Sequence, residues 1–475
     1  MRKTKIVCTI GPSCETVEQL KKLIEAGMNV ARLNFAHGEP AEHSSRIANI
    51  RQAGKELNRP IAIMIDIKGP EIRTGKLVEA SYTLKQNEQV VLTTEPILGD
   101  GQRIPVSYPD LPKDVSIGTS ILIDDGLIEL KVEEIAGTEI RCRILNGGVL
   151  KARKGVNLPG VSTSLPGVTE RDIEHIRFGV REGIDMIAMS FVRKAADVLE
   201  VRHLLEQYGA PDIQIISKIE NLEGVDNLDE ILEASDGLMV ARGDLGVEIP
   251  VEDVPIIQKQ MIQKCNRAGK PVITATHMLD SMQNNPRPTR AEASDVANAV
   301  LDGSDAVMLS GETASGKYPV ESVATMARIA EQTESSPDYG KRKLGHVLVR
   351  SSVTEAISQA VVGSADDLNA KAILTSTATG FTARMVSKYR PDAPIVAITP
   401  NETVMRNLNL VWGVVPILGE PVSSTDELFS SVVSRGTKEG LLEADDLVVI
   451  TAGVPLGSTG TTNLIKIQHV SDLMH

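Results

Sequence analysis

Short apolar runs alternate with amphipathic helical patterns along the first two thirds of the chain. The run Lys5–Gly11, for example, is followed by apolar residues at helical spacing, Val17, Leu20, Ile24 and Met28. Eight such runs occur, at 5–11, 28–35, 60–67, 185–191, 213–220, 237–244, 271–279 and 305–312, and helical patterns separate the later ones at 198–208, 222–234, 254–268 and 289–301. Each run is apolar on both faces, as parallel strands covered by helices must be. The alternation predicts the α/β class and a closed (β/α)8 TIM barrel, with a doubly wound open sheet as the alternative.

Residues 70–165 interrupt this alternation between the third and fourth runs, and they are too many for a structureless loop. Their apolar residues alternate with polar ones, and turn signals stand at Asn87-Glu88, Asp125-Gly126 and Gly147-Gly148. This pattern predicts β-hairpins and hence an inserted all-β unit, a β-barrel lid domain. Its two ends, KGPEIRTG (68–75) and RKGVNLPG (153–160), combine Gly, Pro and cations, which is typical of hinges beside a ligand.

A polar segment, ESSPDYGKRKLGH (334–346), follows the last helical pattern and predicts a connector. Beyond it, strand patterns in AKAILTST, APIVAIT, VVPIL, DLVVITAG and IKIQHV accompany helical patterns near 352–363, 381–389 and 425–440. We therefore expect three domains: a catalytic barrel over 1–69 and 166–340, the inserted lid over 70–165, and an α/β regulatory domain over 341–475.

The composition excludes several classes of protein. The net charge of −13 and an aromatic content of 3% argue against a nucleic-acid binder, which needs basic surfaces and stacking side chains. The four cysteines show no CxxC or Cys/His metal-ligand spacing, so reduced thiols are expected. No apolar stretch is long enough to span a membrane, and the N-terminal segment lacks the features of a secretory signal. We expect a cytoplasmic protein that binds neither nucleic acid nor membrane.

All eight predicted strands end in groups of mostly polar residues, on the side of a β/α barrel where active sites lie. In strand order these residues are Thr9, Gly11 and Pro12; Arg32, Asn34 and His37; Asp66 and Lys68; Ser190 and Phe191; Lys218 and Glu220; Arg242 and Asp244; Thr276 and His277; Ser310 and Glu312. Helix capping or pairing with a neighbour explains any one of them, but not all eight strand ends together. The motif ARLNFAHG (31–38) is therefore interpreted as the rim of a site.

The residue types at these strand ends indicate the chemistry. Glu220 and Asp244 follow neighbouring strands, so their oxygens are expected to converge on a hard divalent cation such as Mg²⁺. The candidate cations around it are Arg32, Arg73, Lys218 and Lys154. A metal, several cations and no evident nucleophile favour phosphoryl transfer, in which positioning and charge neutralisation do most of the catalysis. No GxxxxGK[ST] loop is present, and VARGDLG (240–246) precedes a predicted helix start whose N–H groups are placed to bind a carboxylate.

Seven long motifs together resemble the pyruvate kinase family. They are ARLNFAHG, IDIKGPEIRTG, RKGVNLPG, ISKIENLEG, VARGDLGVEIP, NPRPTRAEASDVANA and MLSGETASGKYPVE, and the resemblance covers essentially the whole chain. It implies a bacterial-type, three-domain glycolytic enzyme that moves the phosphoryl group of phosphoenolpyruvate to ADP, giving pyruvate and ATP. It also implies a homotetramer without the extra C-terminal domain of some bacterial members.

The resemblance implies a role for each matching residue. Lys218 would stabilise the phosphoryl group in flight and the enolate, Arg32 would meet the phosphoryl group, and Thr276 would lie near the face on which the enolate is protonated. The implied substrate contacts are Arg32, Lys218, Gly243, Asp244 and Thr276, and the implied nucleotide contacts are Pro12, Asn34, His37, Arg73 and Lys154. Glu220 and Asp244 would hold Mg²⁺ or Mn²⁺, while Asn34, Asp66 and the main-chain carbonyl of Ile67 would hold K⁺.

The chain departs from the family pattern near the implied K⁺ site and beside Thr276. Ala36 replaces a usual serine and removes a hydroxyl ligand, whereas Ile67 replaces a usual threonine at a position where the ligand is the carbonyl. Glu71 is the residue type of K⁺-dependent members, so we expect K⁺ to bind more weakly, with water in the vacant position, or the change to be harmless. His277 replaces a usual glutamine, and since histidine titrates near physiological pH we expect either an altered pH dependence or a packing role.

The C-terminal segment TSTATGFTARMVSKYRP (375–391) places Ser376, Thr377, Thr379, Gly380 and Thr382 at a predicted helix start. Such a turn binds phosphate or simply caps the helix, and the resemblance implies a sugar-phosphate or nucleotide effector here.

Two alternatives of other classes remain at this point. A different barrel enzyme acting on phosphoenolpyruvate, such as a lyase or aldolase, would need neither ADP nor the inserted unit. A catalytically silent metabolite sensor would have no reason to keep Lys218, Glu220, Asp244, Arg32 and Thr276 together, and Ala36 is the only feature that supports it.

Overall fold

Eight parallel strands close into a barrel. The computed structural model describes residues 1–336, 339, 352–456 and 460–473. The barrel strands, numbered here 1 to 8 in chain order, are Lys5–Thr9, Val30–Asn34, Ala62–Ile67, Met186–Met189, Gln214–Ile219, Gly237–Ala241, Val272–Ala275 and Ala306–Leu309. Strand 1 pairs in parallel with strand 2 on one side and with strand 8 on the other, which closes the sheet. The predicted (β/α)8 barrel is confirmed, and the open sheet is excluded.

The helices of the barrel pack outside the strands, as the amphipathic patterns predict, except that Arg242–Glu248 and Gly311–Ala314 lie at strand ends with polar residues of the site. They are Val17–Ala26, Pro40–Glu56, Glu170–Glu182, Ala195–Gln207, Leu222–Asp226, Leu228–Ala234, Arg242–Glu248, Val254–Ala268, Arg290–Asp302, Gly311–Ala314 and Pro319–Glu334, with a 3₁₀ turn at Asp280–Gln283. The prediction of one helix over 222–234 is wrong: the helix breaks at Asn227, whose side-chain amide donates to the carbonyl of Arg193 at 2.9 Å. The helix expected after VARGDLG begins within the motif, at Arg242.

Two apolar layers hold the barrel together. Inside, side chains from the strands fill the lumen, with Met64, Met186, Met239 and Met308 among them. Outside, a larger cluster packs the strands against the helices, and Leu20, Ile50 and Ile65 in it are fully buried. Burial on both faces is the physical reason that the strands read as continuous apolar runs.

A repeated side-chain clamp joins the strands in pairs at the end of the barrel opposite the polar strand ends. The residue before each even-numbered strand accepts a hydrogen bond, at 2.8–3.0 Å, from a backbone N–H near the start of the preceding strand. The pairs are Asn29 with Ile6, Asp185 with Ile63, Asp236 with Ile215, and Asp305 with Val272. Each acceptor also binds an arginine: Arg2, Arg51, Arg202 and Arg390 respectively. The clamps fix the register of the strands that carry the polar ends.

The inserted unit consists of β-strands between barrel strand 3 and the helix at Glu170. Seven of them form one sheet in the order Ile72–Arg73, Gly155–Asn157, Ser120–Ile123, Ile128–Ala136, Glu139–Asn146, Gln89–Thr93 and Arg103–Pro105, while Ser81–Leu84 pairs separately with Gly148–Lys151; a short helix spans Leu111–Asp114. The turn at Asp125-Gly126 closes the predicted hairpin. The turns at Asn87-Glu88 and Gly147-Gly148 instead join strands of different sheets, because the strands that flank each of them pair with other partners.

The C-terminal sheet contains the five predicted strands in the order Val414–Leu418, Ile395–Thr399, Ala372–Ser376, Leu447–Ala452 and Leu464–His469, the last one antiparallel. Helices Val353–Asp367, Phe381–Ser387, Glu402–Asn407 and Thr425–Lys438 flank it, with 3₁₀ turns at Leu408–Leu410 and Val470–Leu473. Most of the predicted connector, and the predicted domain limit at 340/341, lie outside the described residues. Among the residues that are described, no helix has the length and apolarity needed to cross a membrane.

Two of the four clamps also attach the C-terminal unit to the barrel. Asp185, fully buried, pairs with Arg406 at 2.7 Å, and Asp305 pairs with Arg390 at 2.9 Å. The guanidinium of Arg390 lies over the ring of Trp412, the single tryptophan of the chain, at 4.9 Å from the ring centre. Trp412 is fully buried, so its fluorescence is a local probe of this contact.

We predict that Asp305→Ala destabilises the protein by about 3–5 kcal/mol, because it leaves the buried charge of Arg390 without its carboxylate partner and the Val272 N–H without its acceptor. Chemical denaturation followed by Trp412 fluorescence measures the change. Asp110→Ala, which removes an exposed ion pair with Lys113, is the control and is expected to cost at most about 1 kcal/mol. Equal effects of the two substitutions would contradict the assigned role of the clamp.

Candidate active site

Lys218 lies at the centre of the polar strand ends. Its Nζ is 2.8 Å from Ser190 Oγ, 3.0 Å from Glu220 Oε1 and 3.3 Å from Asp66 Oδ1. Burial lowers the pKa of this amine, but the carboxylates of Asp66 and Glu220 raise it more, so the pKa lies above its usual value. Lys218 is therefore a fixed positive charge and not a base at neutral pH.

Asp66 connects Lys218 to Arg32. Its Oδ2 accepts from Arg32 Nε at 2.8 Å and lies 2.7 Å from Arg32 Nη2, while Arg32 Nη1 donates to Thr9 Oγ1 at 2.8 Å. Burial opposes ionisation of Asp66, yet the charges of Arg32 and Lys218 outweigh it and hold the pKa of this carboxyl below its usual value. The two cations are thus held side by side by one ionised carboxylate.

Glu220 and Asp244 form a second acidic group beside Lys218. Glu220 is almost fully buried and accepts from the N–H of Phe191 at 2.6 Å. Burial raises the pKa of Glu220 to about 7 and also raises the pKa of Asp244, with which Glu220 shares a hydrogen bond. Two buried carboxyls with raised pKa values fit a divalent cation, which would stabilise both as carboxylates.

The donor set fits a hard divalent cation that is held by few protein ligands. Within the part of the chain that the structure describes, no three His, Cys, Asp or Glu side chains form a metal-binding group. A pair of carboxylates is the usual protein contribution to a Mg²⁺ site, where water and substrate oxygens complete the shell.

Strained backbone marks two strand ends of the site. Phe191 after strand 4, and Thr276 and His277 after strand 7, have φ values of 55°, 75° and 56°, in the left-handed region that non-glycine residues seldom adopt. Arg242 stabilises the second of these turns by donating to the carbonyls of Ala275 at 3.0 Å and Thr276 at 2.8 Å.

Gly243 lies close against Thr276, since a Cβ added at Gly243 would lie 2.8 Å from Thr276 Cγ2. The structure therefore brings together the predicted substrate residues Gly243, Asp244 and Thr276. His277, by contrast, is exposed. Arg242 is one of the predicted strand-end residues, but its contact with the turn at Thr276 leaves no signal in the sequence.

The predicted nucleotide residues divide into two groups. Arg73 and Lys154 line a cavity of about 420 Å³ between the inserted unit and the barrel, together with Glu71, Phe191 and Asp244. Arg73 pairs with Glu71 at 2.6 Å, and Lys154 pairs with Asp124 at 2.8 Å. Pro12, Asn34 and His37 do not line this cavity. Asn34 ends strand 2, whereas Pro12 and His37 follow strands 1 and 2 and are exposed. Asp124 is a contact that the sequence did not indicate.

The residues predicted for K⁺ lie side by side at the ends of strands 2 and 3. Asn34 and Asp66 are in register across the two strands, and Ile67 follows Asp66. The side-chain oxygen of Asn34 accepts from the N–H of Ala36 at 3.0 Å, and the methyl group of Ala36 supplies no oxygen. Beside the oxygens of Asn34, Asp66 and the Ile67 carbonyl, position 36 therefore offers no side-chain oxygen.

The predicted effector residues line a separate cavity of about 180 Å³ in the C-terminal unit. Ser376, Thr377, Thr379 and Thr382 are among its lining residues. Gly380, with φ 79°, immediately precedes the helix Phe381–Ser387 and is not a lining residue. The buried hydroxyl of Thr382 already pairs with that of Thr462 at 2.9 Å, so the exposed hydroxyl of Thr379 is more available to a ligand.

Comparisons with known proteins identify the family and the fold of the chain. The family "Pyruvate kinase, barrel domain" matches residues 1–323, and the family "Pyruvate kinase, alpha/beta domain" matches residues 355–468. The chain is 58% identical to a pyruvate kinase of Geobacillus stearothermophilus and 56% identical to one of Bacillus licheniformis, covering all of this chain and 81% of each relative. A solved pyruvate kinase structure from Cryptosporidium parvum superposes with a TM-score of 0.93 at 46% identity, covering 99% of this chain and 96% of that one.

We predict that divalent-metal binding weakens as the pH falls below about 7. The pKa of metal-free Glu220 is raised to about 7, so protons compete with the metal below that pH, and the dissociation constant for Mn²⁺ should rise about tenfold per pH unit. Without metal, Glu220 binds its proton more tightly in the folded protein than in the unfolded chain, because burial raises its pKa. The stability that it contributes is therefore greatest at low pH and is lost as the pH rises through about 7.

Calorimetric titration with Mn²⁺ measures the first effect and thermal unfolding without metal measures the second, both between about pH 5.5 and 8.5. Glu220→Gln is the matched control and should abolish both the binding and its pH dependence. A metal affinity that stays constant over this range would contradict the prediction.

Proposed function

Because the chain belongs to the pyruvate kinase family, we propose that it transfers the phosphoryl group of phosphoenolpyruvate to ADP and releases pyruvate and ATP. The observation that carries this proposal is a buried set of charges. Lys218 contacts Glu220 and one carboxylate oxygen of Asp66, and Arg32 contacts the other oxygen of Asp66. Such a set binds a small, highly charged phosphorylated acid and neutralises charge as the phosphoryl group moves.

The proposed metal ligands are Glu220 and Asp244, with Mg²⁺ as the resident ion and Mn²⁺ as a substitute. When bound, the ion would act as a Lewis acid that offsets the negative charge of substrate oxygens. The contribution of the chain is to hold both carboxylates, with Phe191 N–H fixing one oxygen of Glu220.

Arg32 and Lys218 are proposed to hold the phosphoryl group in transfer. The P–O bond to the enol oxygen breaks, its electron pair stays on that oxygen as an enolate, and a β-phosphate oxygen of ADP forms the new P–O bond. Lys218 then stabilises the enolate, and C3 takes a proton that solvent water supplies on the side where Thr276 lies, which produces the methyl group of pyruvate. Since the pKa of Lys218 is raised, this residue acts as a permanent cation in both steps.

The inserted unit is proposed to act as a lid over the nucleotide. Arg73 and Lys154 line the side of the cavity that the inserted unit forms, where they are placed to contact the phosphates of ADP. The proposed nucleotide contacts on the barrel are Pro12, Asn34 and His37. Both cations now pair with carboxylates, which a phosphate would displace. Closure of the lid would exclude water and so favour transfer to ADP over hydrolysis.

K⁺ is proposed to bind Asn34, Asp66 and the carbonyl of Ile67, more weakly because of Ala36. We also propose that the cavity containing Ser376, Thr377 and Thr379 binds a phosphorylated effector, a sugar phosphate or a nucleotide.

The proposed assembly is a cytoplasmic homotetramer. The proposed domains are the barrel over 1–69 and 166–340, the inserted unit over 70–165 and the C-terminal unit over 341–475. The last limit is supported by the two family matches, because the barrel-domain match ends at 323 and the alpha/beta-domain match begins at 355.

We predict that Lys218→Met lowers kcat by about 10²–10³-fold or more, because a fixed charge aimed at the transition state is lost. Pyruvate formation from phosphoenolpyruvate, ADP and Mg²⁺ is the assay, and omission of ADP must abolish it. Lys85→Met, at an exposed lysine of the inserted unit, is the control and should leave turnover unchanged. Pyruvate formation without ADP would favour a lyase or phosphatase, and no turnover of the unaltered chain would favour a silent sensor.

We predict that Ala36→Ser lowers the K⁺ concentration for half-maximal turnover by about fivefold, since one polar contact is worth about 1 kcal/mol. Thermal unfolding in sodium-free buffer provides a second readout, because K⁺ should raise the midpoint at lower concentration in the variant. Ala41→Ser, at an exposed position of the next helix, is the control. Equal turnover with and without K⁺ would contradict the proposed cation site.

A further inference from the structure

The loop after barrel strand 4, Ser190–Arg193, contacts the candidate site; we refer to it as the strand-4 loop. Ser190 Oγ lies 2.8 Å from Lys218 Nζ and donates to Asp66 Oδ1 at 3.1 Å. The next residue, Phe191, donates its N–H to the carboxylate of Glu220 at 2.6 Å. The position of this loop therefore determines how the central lysine and one proposed metal ligand are held.

The same loop holds the segment through which the chain returns from the inserted unit to the barrel. This segment, Ser162–Leu165, has neither helix nor strand and is called the exit linker here. Arg193 Nη1 donates to the carbonyl and hydroxyl oxygens of Thr163 at 3.1 and 3.0 Å, and Nη2 donates to the carbonyl of Leu165 at 2.7 Å. Arg193 is only 7% exposed, so these bonds are shielded from water.

Ser164, which lies between Thr163 and Leu165, binds the inserted unit instead of the barrel. The N–H of Ser164 donates to Tyr108 Oη and to Asp114 Oδ2, both at 2.9 Å, and its hydroxyl donates to Asp114 Oδ1 at 3.1 Å. Tyr108 and Asp114 belong to the inserted unit. Alternate residues of the exit linker are thus attached to the barrel and to the inserted unit, which is the arrangement of a hinge with one fixed and one moving side.

The segment that leads into the inserted unit touches the strand-4 loop as well. Gly69 has φ 68°, and a Cβ added to it would lie 2.7 Å from the carbonyl oxygen of Ser190. Its N–H donates to Asp172 on the helix that follows the exit linker, at 3.2 Å. Both chain crossings therefore meet at one short loop of the catalytic barrel.

The strand-4 loop is itself held firmly. The N–H of Arg193 donates to Asp197 at 3.1 Å, and the carbonyl of Arg193 accepts from Asn227, the residue at which the helical segment 222–234 breaks. A braced loop transmits a displacement of the exit linker to Ser190 and Phe191, since it has little freedom to absorb the displacement.

We propose that Arg193 is a positioning residue that couples the orientation of the inserted unit to the placement of Lys218 and Glu220. The proposal rests on the proposed phosphoryl transfer, because that reaction is what needs the inserted unit closed over a nucleotide. Arginine suits this position because its planar fork reaches two linker residues at once, whereas the ammonium of lysine is a single point donor.

The test compares Arg193→Met, Arg193→Lys and the control Arg177→Met in the full chain. Arg177 is an exposed arginine of the barrel whose Nη2 donates to Tyr208 Oη at 3.3 Å, away from the exit linker. Amide hydrogen exchange of the exit linker reports its attachment. Spin labels at Lys113→Cys on the inserted unit and Leu199→Cys on the barrel report their separation, and the four native thiols are buried and so resist labelling.

We expect Arg193→Met to speed exchange of the exit linker at least about tenfold, broaden the label-to-label distances, and lower kcat about 10–100-fold, as small misplacements of catalytic groups do. Arg193→Lys should be intermediate, and Arg177→Met should match the unaltered chain. Arg193→Lys keeps a charge beside Asp197 and decides the question even if Arg193→Met does not fold.

Unchanged exchange and distances in both Arg193 variants would overturn the proposal, as would a freed linker with unaltered kcat. If the unaltered chain shows no ADP-dependent turnover, the proposed function fails and the coupling to that reaction fails with it. The exchange and distance data then still decide whether Arg193 holds the hinge.

Discussion

The protonated amine of Lys218, buried among carboxylates, is the interaction on which the rest of the site depends. Removing an ammonium from water is costly, and the contacts to Asp66, Glu220 and Ser190 offset that cost. Asp66 then needs Arg32 to satisfy its second oxygen, and Glu220 needs Phe191 N–H and a metal to remain ionised near neutral pH. Each charge requires the next one, so the site is electrostatically organised before any substrate binds, and this is the main source of rate in phosphoryl transfer.

The barrel separates the end that holds these charges from the end that keeps the strands in register. At the far end, Asn29, Asp185, Asp236 and Asp305 tie the strands in pairs, and two of these residues also attach the C-terminal unit through Arg406 and Arg390. At the catalytic end, the inserted unit meets the barrel through Gly69 and the exit linker. Both attached units therefore contact barrel strands whose other residues carry the site, a physical route by which either unit can influence catalysis.

Much of the fold could be predicted from the sequence because its determinants are local. Runs buried on both faces and separated by amphipathic helices identify a closed barrel, and polar strand ends identify the rim that carries Lys218, Glu220 and Asp244. Local patterns do not determine which strand pairs with which, or which distant residue a polar side chain contacts. The turns at Asn87 and Gly147 were predicted, but which strands pair across them depends on the whole sheet. Three contacts between residues distant in sequence were not predicted: Asn227 with Arg193, Arg242 with Thr276, and Arg193 with the exit linker. Each is made by a side chain whose type alone permits many contacts.

The clamp residues did leave a signal in the sequence. An Asn or Asp stands directly before strands 2, 4, 6 and 8, in GMNV, GIDM, ASDG and GSDA.

The most direct test of the account follows the phosphorus atom itself. Phosphorus-31 NMR of phosphoenolpyruvate, ADP and Mg²⁺ with the full chain distinguishes the γ-phosphate of ATP from inorganic phosphate, while proton NMR of the same sample measures pyruvate. Each pyruvate formed should be matched by one γ-phosphate of ATP, with little inorganic phosphate. Pyruvate matched by inorganic phosphate, or formed when ADP is absent, would contradict it, because the buried charge set and the lid would then not direct the phosphoryl group to a nucleotide.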